Sequence, residues 1–343
     1  MTLEEKVGQL LMVGFRGLEA GPRSPILRAV EAGRIGGVVL FDRDVKLGRD
    51  GRNVRDAGQV RRLIARLQRA APLPLLVAVD QEGGRVARLQ RRHGFPETPP
   101  ARELGAEDDP ALTRRHAEAT AAALAAAGVN LNFAPVVDLD VFPDNPIIGR
   151  FGRSYSADPA VVARHAREVI AAHAARGIAC CLKHFPGHGS SRGDSHQGFT
   201  DVSDTWTPAE LKPYRELIAA GGVEAVMTAH VFNLRLDPEH PASLSRPTVE
   251  GLLRRDIGFA GAVLSDDLDM GAIRSEYSRE HALELALNAG NDMLLIANNL
   301  EFRRDAAERA HAAVVALVRG GRVPAARVDE AWQRVRRLKQ GRS

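Results

Sequence analysis

Short runs of apolar residues recur along the chain, and each is followed by a stretch long enough for a helix. The runs fall at residues 10–15, 36–41, 75–79, 131–137, 178–182, 225–228, 262–265 and 293–296. They are continuously apolar, with little of the alternation of a half-exposed strand, so each reads as a strand covered on both faces. Between them the pattern predicts helices at 25–32, 56–70, 110–127, 159–176, 208–220, 246–255, 278–289 and 302–319. Several begin with Asp-Pro, Thr-Pro or Ser, which supplies an N-cap and a proline at the first helical position. Gly128, Gly177, Gly221 and Gly290 stand just past helix ends, where a glycine in the left-handed region is common. Repeated strand–helix alternation is the pattern of βα units around a parallel sheet, and eight units predict a single α/β fold, a closed (β/α)8 TIM-type barrel. A doubly wound open sheet shares the alternation and is the competing architecture. A last amphipathic segment, about 325–340, is expected to be an extra C-terminal helix packed outside the barrel. No Pro-, Gly- or Ser-rich linker divides the chain, so residues 1–343 are expected to form one catalytic domain.

Composition removes whole classes of function. Hydrophobic residues make up 44% of the 343 residues, charged residues 26% and aromatics 5%, which is ordinary for a globular chain and excludes disordered, collagenous and coiled-coil classes. Lys+Arg 47 against Asp+Glu 43 leaves +4, with the charges interspersed. No basic block tracks a phosphate backbone, so no nucleic-acid partner is expected. Cys180 and Cys181 are adjacent within an apolar run and can build neither a disulfide framework nor a CxxC pair, which favours a reducing compartment. The start, MTLEEKVGQLLMVGF, is acidic where a secretory signal is basic, and no apolar stretch approaches the ~18 residues of a membrane span. The chain therefore reads as a cytoplasmic monomer with no membrane partner and no cofactor.

Candidate chemistry gathers where the predicted strands end: Asp80, Asp138, Lys183-His184, His230, Asp266-Asp267 and Asn298. In a barrel these positions share the carboxyl-terminal face, where barrel enzymes place their reactions. The segment LKHFPGHGSSRGDSHQG, residues 182–198, carries three histidines, a lysine, an arginine and an aspartate. His184 and His188 have the i, i+4 spacing of a metal pair, but Pro186, Gly187 and Gly189 remove the helical face on which such a pair would meet. With Asp194 and His196 added, a metal centre on a loop remains one possibility. The other is an Asp194–His196 pair, two residues apart and on the same side of an extended segment, in which the carboxylate orients an imidazole for general acid/base work. In GAVLSDDLDM, residues 261–270, one of three clustered carboxylates is expected to face the barrel mouth while the others cap the following turn. Asp266 there suits attack on an oxocarbenium-like sugar carbon, and the same composition suits Mg²⁺. In VDQEGGRVARL, residues 79–89, Asp80, Arg85 and Arg88 share a tight loop; Asp80 can accept from vicinal sugar hydroxyls or form a salt bridge that holds the loop.

Taken together, VGQLLMVGF, AVDQEGGRVARL, NFAPVVDL, NPIIGRFGRSYSADP, KHFPGHG with a downstream DSH, MTAHV and LLRRDIGFAGAVLSDDLDMGAI resemble glycoside hydrolase family 3, in particular its β-N-acetylglucosaminidase branch of peptidoglycan recycling. These pieces span most of the chain. The resemblance implies that Asp266 is a nucleophile forming a glycosyl-enzyme intermediate and that His196, paired with Asp194, is the acid/base. It implies that Asp80, Arg88, Arg153, Lys183 and His184 hold the non-reducing N-acetylglucosamine of a muropeptide, with Arg150 an alternative to Arg153. Many family members carry a second α/β sandwich domain that supplies the acid; here the loop dyad is expected to let one barrel hold both groups. The competing expectations are a phosphorylase, since a histidine base does not repel phosphate, a β-glucosidase of the same family, and a sugar-binding module without catalysis. A metal-dependent hydrolase using His184, His188, Asp194 and Asp266 is the alternative from a different class.

Overall fold

The computed structural model describes residues 1–340. Eight parallel strands form one sheet: β1 (Leu11–Gly14), β2 (Gly37–Val39), β3 (Leu76–Val79), β4 (Leu131–Asn132), β5 (Ala179–Phe185), β6 (Ala225–Thr228), β7 (Ala262–Ser265) and β8 (Leu294–Ile296). Neighbours in sequence are neighbours in the sheet, and β1 pairs with β8 through Leu11↔Leu294, Met12↔Leu295 and Val13↔Ile296. The remaining seam, β7 to β8, is joined by a bridge between Leu264 and Met293 and by the Ser265 amide donating to the Met293 carbonyl at 3.0 Å. The sheet is thus the predicted (β/α)8 barrel, and the competing open sheet is excluded. The strands are buried throughout, which is why they read as apolar runs rather than alternating ones.

Local chemistry accounts for the departures from the predicted bounds. Residues 131–137 were expected to be one strand, yet β4 stops at Asn132, because Pro135 has no N–H for the ladder; pairing resumes only as a bridge between Val136 and Lys183. β5 instead runs on to Phe185, so Lys183 and His184 lie within the strand and not beyond its end. The expected helix 208–220 divides into a 3₁₀ turn, Pro208–Leu211, and an α-helix, Lys212–Ala220. Pro213 interrupts the donor series there. The expected helix 246–255 is a π-helix, Pro247–Asp256, and the expected helix 302–319 begins only at Ala306.

Several elements were not anticipated: the helices Leu3–Gln9 and Ala101–Glu107, and two short hairpins over the carboxyl-terminal face, Arg43–Asp44 with Arg49–Asp50 and Gln81–Gly83 with Val86–Ala87. Leu3–Gln9 starts with a capping box, in which the Thr2 hydroxyl accepts from the Glu5 amide at 3.2 Å and the Glu5 carboxylate accepts from the Thr2 amide at 2.8 Å. The C-terminal helix, Ala325–Lys339, packs against Leu3–Gln9, Arg279–Ala289 and β7. Buried Asp292 anchors it, with Arg327 at 2.7 Å, Arg334 at 3.1 Å and Arg254 at 2.6 Å. No described helix is long and apolar enough to cross a membrane.

Candidate active site

A cavity of about 400 Å³ opens at the carboxyl-terminal ends of the strands. The eight side chains given roles by the family resemblance line it: Asp80, Arg88, Arg153, Lys183, His184, Asp194, His196 and Asp266. Of the other strand-end candidates Asp267 lines it too, and Asp138, His230 and Asn298 do not. Asp80 follows β3, Lys183 and His184 end β5, and Asp266 follows β7, so three strands deliver charged groups to one mouth. Arg150, the alternative to Arg153, is exposed in the 3₁₀ turn Gly149–Phe151 and does not line the cavity.

One wall is a network of alternating charge. Lys183 Nζ lies 2.7 Å from Asp80 Oδ1 and 2.6 Å from Glu82 Oε1. Arg88 donates to Asp80 at 3.0 Å, and Arg153 donates to Glu82 through Nε and Nη2, both at 2.7 Å. Burial alone would push the carboxyls up; the surrounding cations win, and both Asp80 and Glu82 are held below the ordinary carboxylate range. The same attraction raises Lys183 against its burial. The Asp80–Arg88 salt bridge and the cavity-lining position, two alternatives at sequence level, are therefore both present. Glu82 is the residue that sequence reasoning missed. Its signal was available as a carboxylate in the same DQEGGR loop as Asp80, Arg85 and Arg88.

Asp138, at the start of the β4 loop, organises the next layer. Its carboxylate accepts from the His188 amide at 2.8 Å and from the His184 amide at 3.2 Å, and it lies 2.6 Å from His184 Nδ1. Arg153 Nη2 sits 3.2 Å from His184 Nε2. A guanidinium only donates, so Nε2 is the acceptor and Nδ1 carries the proton that goes to Asp138. Both nitrogens of His184 are thus committed, one of them to a cation, which does not suit a metal ligand. Among the described residues no group of three His, Cys, Asp or Glu side chains converges to hold a metal, and the metal-centre alternative finds no fitting donor set.

Asp194 and His196 are paired, though not as two residues of an extended segment. Residues 195–197 form a turn, closed by the Gln197 amide donating to the Asp194 carbonyl at 3.0 Å. This lets Asp194 Oδ1 meet both the amide and Nδ1 of His196, each at 2.9 Å, while Oδ2 accepts from Gln197 at 2.8 Å. The hydrogen bond from His196 is the chief reason that the Asp194 carboxyl is held down at about 2. The His196 side chain is 51% exposed.

After β7 the three aspartates diverge, though Asp266 and Asp267 both line the cavity and only Asp267 caps the following turn. Asp267 Oδ1 accepts from the amides of Asp269 and Ala297 at 3.1 and 2.8 Å, and Asp269 pairs with Arg279 and with the Asn298 amide. Burial raises both: Asp269 against the pull of Arg279, and Asp267 more strongly, with repulsion from the Asp269 and Asp266 carboxylates added. Among the described residues the Asp266 carboxylate accepts one hydrogen bond, from the Asp267 amide at 2.7 Å. Burial opposes its ionisation, but the imidazoles of His230, His184 and His196 and that amide keep it below the ordinary range. His230 bonds to Ser243 Oγ at 2.6 Å and donates from Nε2 to the Asp267 carbonyl at 2.9 Å, so it supports the loop.

Residues 2–338 match the Glycosyl hydrolase family 3 N terminal domain. The Beta-hexosaminidase of Tolumonas auensis is 39% identical over 270 residues, 77% of this chain and 76% of that protein. That of Stenotrophomonas maltophilia is 37% identical over 296 residues, 84% of this chain and 83% of its own. Among solved structures, a glycoside hydrolase family 3 β-N-acetylglucosaminidase from Paenibacillus sp. str. FPU-7 is similar with a TM-score of 0.90 at 38% identity, over 100% of this chain and 63% of that one. The β-N-acetylhexosaminidase from Beutenbergia cavernae has a TM-score of 0.87 at 34% identity, over 99% and 98% of the two chains.

Proposed function

Because this chain belongs to glycosyl hydrolase family 3, we propose that it is a retaining exo-β-N-acetylglucosaminidase that removes terminal N-acetylglucosamine from peptidoglycan-derived muropeptides. One observation carries the reading: a hydrogen-bonded Asp–His pair and an ionised aspartate at the end of β7 line a single cavity. In the first step Asp266 forms a bond to the anomeric carbon as the bond to the leaving oxygen breaks. His196, charged and held at Nδ1 by Asp194, gives that oxygen its Nε2 proton. In the second step neutral His196 takes a proton from water, whose oxygen bonds to the anomeric carbon and frees Asp266. The Asp194 carboxyl, held down at about 2, stays anionic through the cycle and stabilises the imidazolium. Asp80, Arg88, Arg153, Lys183 and His184 hold the terminal sugar, and their ion pairs with one another and with Glu82, together with the pairing of His184 and Asp138, fix their positions before substrate arrives. One barrel supplies both catalytic groups, and we propose that it works as a cytoplasmic monomer, with Cys180 and Cys181 reduced and buried.

Aryl N-acetyl-β-glucosaminides with a good leaving group (2,4-dinitrophenol) and a poor one (phenol) test the assignment. Asp266→Ala should abolish turnover of both. His196→Ala should slow the phenyl substrate by about 10²-fold or more and spare the dinitrophenyl one, since only the poor leaving group needs a proton. An Asp266→Ala enzyme of unchanged rate would overturn the reading. The use of an imidazole in place of a carboxylate also suits phosphate as the acceptor, and the product in phosphate buffer, free sugar or sugar 1-phosphate, distinguishes hydrolase from phosphorylase.

A further inference from the structure

The Asp194–His196 turn has few anchors. Its two functional side chains bond to each other and to Gln197, and neither forms a side-chain hydrogen bond to the barrel among the described residues. Between them stands Ser195, which is 1% exposed. The Ser195 hydroxyl shares a hydrogen bond of 3.0 Å with Nε2 of His188, itself 1% exposed. This is the side-chain contact by which the turn reaches the β5 side of the barrel. His188 is fixed in turn, because its amide donates to the same Asp138 carboxylate that holds His184. Burial pushes the His188 imidazole down to about 4, so it remains neutral while His196 cycles. On the other side, the amides of Gly271 and Ala272 donate to the carbonyls of His196 and Ser195, both at 3.1 Å. The turn is therefore clamped between the loop after β7, which bears Asp266, and a buried histidine in the KHFPGHG segment.

We propose that His188, through Ser195, is a positioning residue that sets where the His196–Asp194 pair stands relative to the bond being broken. The proposal rests on the reading of His196 as the acid. Its distinguishing consequence is that loosening the clamp impairs proton delivery more than sugar binding or attack by Asp266. Misplacing a catalytic group by about 1 Å costs on the order of 10²-fold, and only reactions that need the proton register it.

The variants are Ser195→Ala, which removes one hydroxyl from the turn, and His188→Leu against His188→Gln, whose amide can restore a hydrogen bond at the Nε2 position. Each is assayed on the phenyl and 2,4-dinitrophenyl N-acetyl-β-glucosaminides, with thermal unfolding measured in parallel. Ser195→Ala and His188→Leu should lower kcat on the phenyl substrate by roughly 10- to 100-fold and change the dinitrophenyl rate less than about twofold. His188→Gln should recover much of the phenyl rate. Equal losses on both substrates, or no loss on either, would overturn the proposal, and so would a His188→Gln enzyme no better than His188→Leu. Should His188→Leu fail to fold, Ser195→Ala alone decides. If His196→Ala itself shows no leaving-group dependence, the acid assignment fails rather than the clamp.

Discussion

Glu82→Gln removes one negative charge from the cavity wall and keeps the side-chain shape. Arg88, Arg153 and Lys183 face Asp80 and Glu82, so the wall carries one excess positive charge and the substitution makes it two. Glu82, Arg153 and Lys183 side chains are only 4%, 9% and 3% exposed, so water does little to screen the loss. At an effective dielectric of ~20, each ion pair with charge centres ~4 Å apart contributes about 4 kcal/mol of attraction. Two such pairs are lost, but the glutamine carbonyl still accepts a hydrogen bond, and the cost of desolvating Glu82 disappears. The net is about 3 kcal/mol, in the range found when one partner of a buried pair is removed. With an unfolding entropy of ~2.1 cal/mol/K per residue, a chain of this length should lose about 4 °C of Tm. The sign with pH is fixed by the lowered carboxyl: its stabilisation is complete above the ordinary carboxylate range and is lost as pH falls through the folded value. Thermal unfolding of both proteins at pH 7 and at pH 3 should show a gap that narrows on acidification. KM for the aryl glycoside should rise by roughly tenfold, as Arg153 and Lys183 lose their fixed positions. Equal Tm values at pH 7, or a gap that widens in acid, would refute the argument.

Two further outcomes are expected. Burial drives the Lys339 ammonium from 10.5 down to about 7, with Gln9 Oε1 at 2.6 Å as its hydrogen-bond partner. Lys339→Met should therefore stabilise the protein at pH 6 by roughly 2 kcal/mol after the lost hydrogen bond. The unfolded chain binds the extra proton between about 7 and 10.4, so the wild type gains stability as pH rises through that window and the advantage of the methionine fades; denaturant midpoints at pH 6 and 9.5 that differ equally from wild type would contradict this. A Cβ on Gly271 would stand 2.6 Å from the Gln197 carbonyl carbon and 2.7 Å from the His196 oxygen. Gly271→Ala must therefore push the turn outward, and the phenyl substrate should slow by about tenfold or more while the dinitrophenyl one does not; an unchanged rate ratio would show that the turn accommodates the methyl group.

The parts of the fold legible in the sequence are those in which burial on both faces writes itself into residue type. β6 and β7 match the predicted runs residue for residue, as does the helix Pro110–Ala127, which Asp109 caps and Gly128 closes, and Ala325–Lys339 falls within a residue of its predicted range on its apolar stripe. What was lost depended on donors and on distant partners. Pro135 cut β4 short without changing its apolar look. The hairpins at Arg43–Asp50 and Gln81–Ala87 are polar and short, held by contacts such as Arg16 on Asp44, twenty-eight positions away, which no local window contains. Leu3–Gln9 was visible only as Thr2 and Glu5 three residues apart.

At the site, residue type, strand-end position and the family resemblance together pick out side chains that line one cavity, but the way they are held follows from pairings between distant segments. Glu82 looks like one more loop carboxylate until Arg153, seventy-one positions away, is placed on it. The Asp80–Arg88 ion pair illustrates why a structural and a functional reading need not compete. Lys183 is buried and charged, and it stays so because two carboxylates hold it. Those carboxylates in turn stay ionised because the cations hold them. A set of charges that satisfies itself in this way is rigid without ligand, and its remaining hydrogen-bonding capacity faces the cavity. The Asp194–His196 pair has the opposite character, with an exposed imidazole on a turn pinned by Ser195 and two amides. In the proposed reaction, binding asks for fixed groups and proton transfer for one group free to exchange with its surroundings; the barrel offers a buried network beside β3 and β5 and an exposed imidazole on a turn clamped against the segment after β7.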